Sequence, residues 1–292
     1  MSDTNHLNNS LQSRTVLQQL PGVPTSDGAG VKLTRIIGTP QLDMLDPFLM
    51  LDCFESDDAD DYVAGFPTHP HRGFETVTYL LNGRMRHKDN AGNEGLIEPG
   101  GVQWMSAGKG ILHSEMPEQK EGLLKGFQLW VNLPASAKMS APNYQEFPPQ
   151  LTPLEYRDNG TQIRVIAGET SEGTVGSVIN THTYPTYLDV SLPAHTDFEQ
   201  PLVMDHNAFI YIIEGEVAVQ GDEKVSAKNL AILTKGDSVT VTSGDKGARF
   251  LLIAGKPLNE PIARMGPFVM NTQIETRQAV ADFHSGKFGQ PA

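Results

Sequence analysis

The chain has 292 residues, enough for two compact domains, and its 35 acidic and 22 basic side chains give a formal net charge of -13. This charge repels phosphate polyanions, so we expect no direct contact with nucleic acid. The single cysteine, Cys53, excludes an intramolecular disulfide and a cysteine-cluster metal site, and it fits a reducing cytoplasm.

The N-terminal stretch is polar and lacks the basic and then apolar segments of a secretion signal. No uncharged apolar run approaches the roughly 20 residues that a membrane-spanning helix needs. We therefore predict a cytoplasmic protein without a membrane partner, whose residues 1–13 form a disordered tail.

Short segments rich in β-branched and aromatic residues follow, bounded by Gly, Asp or Pro, while long stretches with a 3.6-residue apolar period are scarce. This pattern predicts an all-β fold of barrel or sandwich strands. The clearest strands are FETVTYLL (74–81), GFQLWVNL (126–133), YLDVSL (187–192), FIYII (209–213), SVTVT (238–242) and ARFLLI (248–253). Cys53 lies in FLMLDCFES, where we expect a buried, unreactive thiol.

His69 and His71 stand two apart, just before the first of these strands. On extended backbone such residues project from the same face, so both imidazoles can point at one spot inside a barrel. Neutral imidazole is a favoured ligand of Fe, Ni, Cu or Zn. A lone His-x-His also occurs by chance on surfaces, so this pair alone leaves a solvated role open.

A second pair, His113 and Glu115, is again two apart and follows glycine-rich turns in EPGGVQWMSAGKGILHSEMP. Together the two pairs offer three nitrogens and one carboxylate. This set suits one divalent metal and leaves two positions open in an octahedral ion, enough for substrate and dioxygen. Burying the four groups without a metal would require several other partners.

The other histidines carry no comparable pattern. His87 lies at the end of a return strand before a polar turn, and we predict that it is exposed and not metal-bound. The same prediction covers His182, His195 and His206. The second half contains neither His-x-His nor His-x-Glu, which indicates a barrel without metal ligands.

A weak internal repeat indicates two similar barrels, because TYLLNGRMRH and IYIIEGEVAV share a strand, a turn and a return strand. The proline-rich segment 134–153 suits neither strand nor helix and is predicted to join them. We predict an N-terminal metal-binding domain at 14–140 and a C-terminal domain without metal ligands at 141–292.

One helix is predicted at the end of the second domain. Thr272 and Glu275 form a capping-box pattern, the helix runs through Phe283, and Gly286 can end it. Nothing in IETRQAVADF supplies a set of metal ligands, so we expect a helix that docks on the barrels.

The motifs together resemble the cupin superfamily, and more closely the pirin family, including bacterial pirin-like quercetin 2,3-dioxygenases. The similar segments are HPHRGFETVTYLLNG, QWMSAGKGILHSEMP, GFQLWVNLP and GPFVMNT, and the similarity runs from about Arg14 to Phe283. The resemblance implies a bicupin, which is two cupin-like β-barrels (double-stranded β-helices), followed here by a short C-terminal helix.

The resemblance also implies the ligands. Pirins hold their metal through both histidines of the HPH segment and through the His and Glu of the His-x-Glu segment, here His69, His71, His113 and Glu115. A generic cupin would use Glu75 instead of Glu115, and a strand continuing regularly from His71 would keep Glu75 on the ligand face. We prefer Glu115, since a glycine at position 73 can break that phase. Glu75 is then either an acceptor that orients a histidine or Arg72, or solvent-exposed.

The activity implied by the resemblance is that of some pirins, which open the flavonol ring of quercetin with dioxygen and release carbon monoxide. The expected partners are a small aromatic substrate and O2, and the expected cofactor is one divalent metal, with Fe first and Mn, Ni, Cu, Co or Zn as alternatives. Glu115 is the predicted catalytic base. Four side chains are candidates for the pocket wall, although core packing is the commoner role of such residues: Trp104, Met105, Phe127 and Trp130.

A second hypothesis is a metal-bound, non-enzymatic pirin that senses redox state and acts through a protein partner. In either case we expect a monomer or weak oligomer. Both hypotheses use the same four residues. A roomy apolar cavity beside the metal would favour the enzyme, whereas a closed site beside an exposed patch would favour the regulator.

Overall fold

The computed structural model describes residues 12–221 and 223–288, and these ranges are built almost entirely of β-strands. The prediction of an all-β chain with two barrels and a short C-terminal helix is confirmed. The predicted disordered tail at 1–13 lies outside the described residues as far as residue 11. Ser13, which is described, already forms a bridge with Ser238.

The first barrel consists of two sheets of antiparallel strands. The elements of this half of the chain are β1 (Val16–Pro21), β2 (Val23–Asp27), β3 (Val31–Ile37), β4 (Phe48–Ser56), a 3-10 turn (Ala59–Asp61), β5 (Phe66–His71), β6 (Phe74–Asn82), β7 (Met85–Asp89), β8 (Glu94–Ile97), β9 (Val102–Ser106), β10 (Ile111–Pro117), β11 (Leu124–Asn132) and β12 (Asn143–Phe147). One sheet has the order β12-β9-β6-β11-β4-β3-β2, and the other has the order β5-β10-β7-β8.

The second half of the chain contains β13 (Leu154–Tyr156), β14 (Gln162–Ala167), β15 (Thr186–Leu192), β16 (Asp197–Pro201), β17 (Asn207–Val219), β18 (Glu223–Ser226), β19 (Asn229–Leu233), β20 (Ser238–Gly255), β21 (Ala263–Met265), β22 (Phe268–Met270) and α1 (Gln273–His284). The second barrel is one sheet with the path β1-β19-β17-β20-β15-β14-β13, in which β16 also pairs with β20 and β18 also pairs with β17. Two predicted strands, 238–242 and 248–253, are parts of the long strand β20.

Strand alternation divides the side chains between the barrel interiors and a core where the barrels meet. On β4, Leu51 and Cys53 enter the core between the barrels, and the residues between and beside them point into the first barrel. On β20, Leu251 and Ile253 enter the same core, while Phe250 and Leu252 fill the second barrel. Cys53 is buried as predicted, and its burial raises the pKa of the thiol to about 12.

The prediction that segment 134–153 forms neither strand nor helix is wrong for Asn143–Phe147, which is strand β12. Prolines flank this strand on both sides, and it pairs with β9 at the edge of the first sheet. Proline is tolerated next to an edge strand because no ladder hydrogen bond is lost there. The prolines therefore bound a strand instead of excluding it.

The two ends of the chain cross over between the barrels. Near the N-terminus, β1 pairs with β19 of the second barrel, and the fully buried Arg14 donates to the carbonyls of Gly236, His206 and Val203. Near the C-terminus, the β21–β22 hairpin and α1 pack on the first barrel. Arg72 of that barrel forms an ion pair of 2.8 Å with Asp282 of α1.

Helix α1 begins with the predicted capping box, because Thr272 and Glu275 exchange side-chain-to-backbone hydrogen bonds. It ends at His284, and Gly286 follows with a left-handed φ of 73°. No helix in the described ranges is long and apolar enough to cross a bilayer.

Gly73 separates β5 from β6 with a φ of 87°, and a Cβ at this position would lie 2.0 Å from the carbonyl oxygen of Val269. We expect Gly73→Ala to lower the free energy of unfolding by about 2–5 kcal/mol, because backbone strain and overpacking add. Gly92→Ala is the matched control: its φ is 95°, and a Cβ there would meet no atom within 4 Å. Chemical denaturation measures both, and equal losses would contradict the role of the Val269 contact.

Candidate metal centre

The pairing of β5 with β10 brings three predicted ligands together. In this antiparallel ladder His113 lies opposite His69, and Ile111 lies opposite His71. The ring centroids of His69 and His113 are 4.4 Å apart, and those of His71 and His113 are 4.9 Å apart. The candidate ligand atoms of all three residues lie within 4.8 Å of one another. The predicted convergence of the three imidazoles is confirmed.

The hydrogen-bond partners of these rings leave their Nε2 atoms facing one another. His69 Nδ1 lies 2.8 Å from the carbonyl oxygen of Pro67, so it carries the proton. His71 Nδ1 lies 3.5 Å from the carbonyl oxygen of Pro267. If both rings donate from Nδ1, their Nε2 lone pairs meet at 3.0 Å, which is repulsive unless a cation lies between them. His113 Nε2 is buried and has no partner within the described part of the chain.

Electrostatics keeps His71 and His113 in the form that binds metals. Burial, followed by the neighbouring imidazoles, holds the pKa of His71 and of His113 well below the usual value for histidine. Neutral imidazole is the form that donates a lone pair to a metal. The donor set, the facing nitrogens and the unpartnered Nε2 of His113 therefore fit a divalent transition metal.

Glu115 lies beside the cluster without joining its group of ligand atoms. A bulge between His113 and Glu115 shifts the pairing with β5, so Glu115 lies opposite Phe66. Its buried carboxyl is held from the other side: the Thr78 hydroxyl lies 2.5 Å from Oε1, and the Gln128 amide donates to Oε2 at 3.1 Å. Ligation by Glu115 therefore stays a prediction.

Glu75 lies on the face of β6 that packs against the second barrel. The left-handed φ of Gly73 breaks the strand phase after His71, as the glycine suggested. Glu75 accepts a hydrogen bond from Asn180, and burial raises the pKa of its carboxyl to about 7. The solvent-exposed alternative for Glu75 is wrong, since the residue is 5% exposed. Its hydrogen bond to Asn180 connects the two barrels.

The prediction that His87 is exposed is wrong, because its side chain is fully buried. His87 Nδ1 lies 3.5 Å from His113 Nδ1, and its ring packs 5.0 Å from that of Tyr144. The strand pattern contained the signal, since Met85 and His87 alternate with the basic residues 86 and 88 and are buried together.

The prediction of exposed side chains also covered His182, His195 and His206, and it is confirmed for two of the three. His206 is also buried, against the prediction, since Arg14 and the loop around it cover this residue. His182 and His195 are exposed as predicted.

A cavity of about 620 Å³ opens above the cluster, and His69, His71 and Glu115 line its base. Its walls come from the inward-facing side chains of β4 and β11, and the turn between β21 and β22 covers part of it. The main wall residues are Leu33, Met50, Asp52, Phe54, Phe66, Gln128, Trp130, Arg264, Gly266 and Pro267. The exposed residues Asp27 and Gly28 also border the cavity, so it communicates with solvent.

Of the four candidate wall residues, Trp130 lines the cavity, and the guanidinium of Arg264 lies 5.0 Å above its ring. Trp104 and Phe127 pack instead in the core between the barrels. Met105 packs in a separate apolar cluster. Strand alternation explains why Trp130 lines the cavity and Phe127 does not, because residues three apart on β11 lie on opposite faces of the strand.

Two family models match the sequence of the chain. The model described as Pirin matches residues 30–131, and the model described as Pirin C-terminal cupin domain matches residues 187–289. The first match contains all four predicted metal ligands.

Similar proteins and structures extend over nearly the whole chain. A "Pirin-like protein" of Caulobacter vibrioides is 56% identical and covers 94% of this chain and 99% of its own length. A protein of Pseudomonas aeruginosa named "Putative quercetin 2,3-dioxygenase" is 49% identical, covering 94% of this chain and 97% of its own length. A crystal structure of quercetin 2,3-dioxygenase from Acinetobacter baumannii matches with a TM-score of 0.86 and 34% identity, over 95% of this chain and 99% of that one.

Proposed function

The chain belongs to the pirin family, and we propose that it is a metal-dependent dioxygenase that opens a flavonol ring with dioxygen and releases carbon monoxide. The observation that carries the proposal is the cavity of about 620 Å³ based on His69, His71 and Glu115. Its volume lies within the roughly 300–1,000 Å³ typical of small-molecule sites. A regulator acting through a protein partner would not need a solvent-connected cavity at the metal.

The three histidines and Glu115 would have different roles in the reaction. His69, His71 and His113 would hold the metal, with Glu115 as the fourth ligand and iron as the expected ion. A bound divalent metal supplies Lewis acidity, which lowers the pKa of a coordinated substrate hydroxyl. Glu115 would take the proton of the flavonol 3-hydroxyl as general base. Thr78 and Gln128 fix the direction of its carboxyl.

The walls suit a flat aromatic molecule with hydroxyl groups. Trp130, Phe54 and Met50 offer apolar surface, and holding the substrate against them removes part of the entropic barrier to reaction. Asp52, which Arg35 holds through two hydrogen bonds of 2.9 and 2.7 Å, offers a polar site on the same wall. Phenolic hydroxyls would be recognised there, away from the metal.

The proposal is tested with a metal-replacement series. Metal-free protein is loaded anaerobically with Fe, Mn, Ni, Cu, Co or Zn, and quercetin and dioxygen are then added. We expect at least one metal, Fe first, to support flavonol loss with carbon monoxide release in equal amount, and the metal-free protein to be inactive. His182→Ala, which changes an exposed histidine, should behave as wild type. Absence of turnover with every metal would refute the flavonol dioxygenase.

A further inference from the structure

Two buried groups, His87 and Asp89, stand in a row behind His113, and neither lines the cavity. His113 Nδ1 lies 3.5 Å from His87 Nδ1, and His87 Nε2 lies 3.3 Å from Asp89 Oδ2. The side chains of His87 and Asp89 are both fully buried. The sequence pattern connects neither residue with the metal site, because it predicts that His87 is exposed.

The carboxylate at the end of the row is fixed by its own turn. Asp89 Oδ1 accepts the backbone N–H groups of Ala91 and Asn93, each at 2.9 Å, and Oδ2 accepts the side-chain amide of Asn93 at 2.8 Å. A carboxylate oxygen in such a turn only accepts. The nitrogen of His87 that faces it must therefore be an N–H.

The proton on His87 Nε2 determines which nitrogen of His113 is protonated. A neutral imidazole has one N–H, so His87 with its proton on Nε2 presents a lone pair at Nδ1. The facing Nδ1 of His113 must then carry a proton, which leaves the lone pair of His113 on Nε2. That Nε2 is the buried atom without a partner, and it belongs to the three-histidine cluster.

We propose that His87 and Asp89 are positioning residues that fix the tautomer of His113, so that its Nε2 lone pair is presented to the metal. The ring of Tyr144 packs beside that of His87, with the ring centroids 5.0 Å apart and the planes inclined by 31°. The inference rests on the three-histidine metal site of the proposed function and does not depend on the dioxygenase reaction.

The first test reads the tautomer without metal. In metal-free protein labelled with ¹⁵N-histidine, the ¹⁵N chemical shifts should show His113 protonated at Nδ1 and unprotonated at Nε2. In Asp89→Asn the new amide can donate to His87 Nε2, so His87 should carry its proton on Nδ1 instead. The tautomer of His113 should then change as well, with its proton on Nε2. A wild-type His113 protonated at Nε2 would overturn the proposal.

The second test measures Zn²⁺ affinity by competition with a chromogenic chelator. We expect Asp89→Asn and His87→Phe to weaken binding by about 10- to 100-fold, as loss of outer partners of ligating histidines does. His87→Gln should bind more tightly than His87→Phe, because the Gln carbonyl can accept from His113, although Phe is closer to imidazole in shape. Tyr144→Phe, which keeps the ring, is the matched control and should bind as wild type.

The outcomes separate the inference from the proposed function. Wild-type affinity in both folded Asp89→Asn and folded His87→Phe would overturn the positioning role, and so would equal losses in His87→Gln and His87→Phe. If Asp89→Asn does not fold, the comparison of the two His87 variants decides. If wild type binds no metal, the proposed function fails, while the ¹⁵N shifts still report whether the row sets the tautomer.

Discussion

Replacement of His113 by alanine is expected to weaken metal binding more than about 100-fold, beyond the 10- to 100-fold that loss of an outer partner costs. His113 supplies one of the three converging nitrogens, and its buried Nε2 has no hydrogen-bond partner within the described residues. Chelator competition with Zn²⁺ and with Co²⁺ measures the loss. His69→Ala and His71→Ala should give losses of the same order.

The controls for this prediction separate ligation from the removal of any histidine. His182→Ala removes an exposed imidazole, and His206→Ala removes a buried one near the second barrel. Both should retain wild-type affinity. Thermal melting of the metal-free proteins verifies that each variant is folded. A folded His113→Ala that binds metal as tightly as wild type would show that the cluster does not hold the ion.

Replacement of Glu115 by glutamine is expected to reduce turnover by about 100- to 10,000-fold, the usual contribution of a positioned general base. Glutamine keeps the shape of the side chain and removes its capacity to take a proton. Metal content is measured first, because Glu115 is also the proposed fourth ligand. Turnover is then assayed at saturating metal, with flavonol loss as the readout.

The matched control is Glu75→Gln. Glu75 is also a buried carboxyl on a strand of the first barrel, but it bonds to Asn180 between the barrels and does not line the cavity. We expect its turnover to stay near wild type. Loss of metal in Glu115→Gln would identify Glu115 chiefly as a ligand, while retained metal with lost turnover would identify the base. Retained metal with unchanged turnover would contradict both roles.

The parts of the site that the sequence predicts correctly are those that local periodicity determines. His69 and His71 share a face because residues two apart on a strand do so. Their meeting with His113 follows from the two motifs and the family resemblance together. Glu115 was placed by the same reasoning, but a bulge after His113 changes the local geometry, and bulges leave little trace in a single sequence.

Long-range pairing explains what the sequence does not predict. The turn at Gly266 and Pro267 borders the cavity, although almost 200 residues separate it from His71. Alternation along a strand tells which side chains share a face, but it does not tell which strand lies opposite. The burial of His87 is predictable from the sequence, since Met85 and His87 alternate with basic residues. The polar turn that follows favoured the wrong prediction of an exposed side chain.

The exchange of chain ends between the barrels means that neither half is a complete folding unit. A cut between the barrels would leave the second half without β1 and the buried Arg14, and the first half without the hairpin that meets His71 and the helix that pairs with Arg72. Each fragment would expose surface that its missing piece normally covers. We therefore expect metal affinity at the proposed site of the first barrel to depend on the intact segment from Ala263 to His284, although this segment follows the second barrel in the chain.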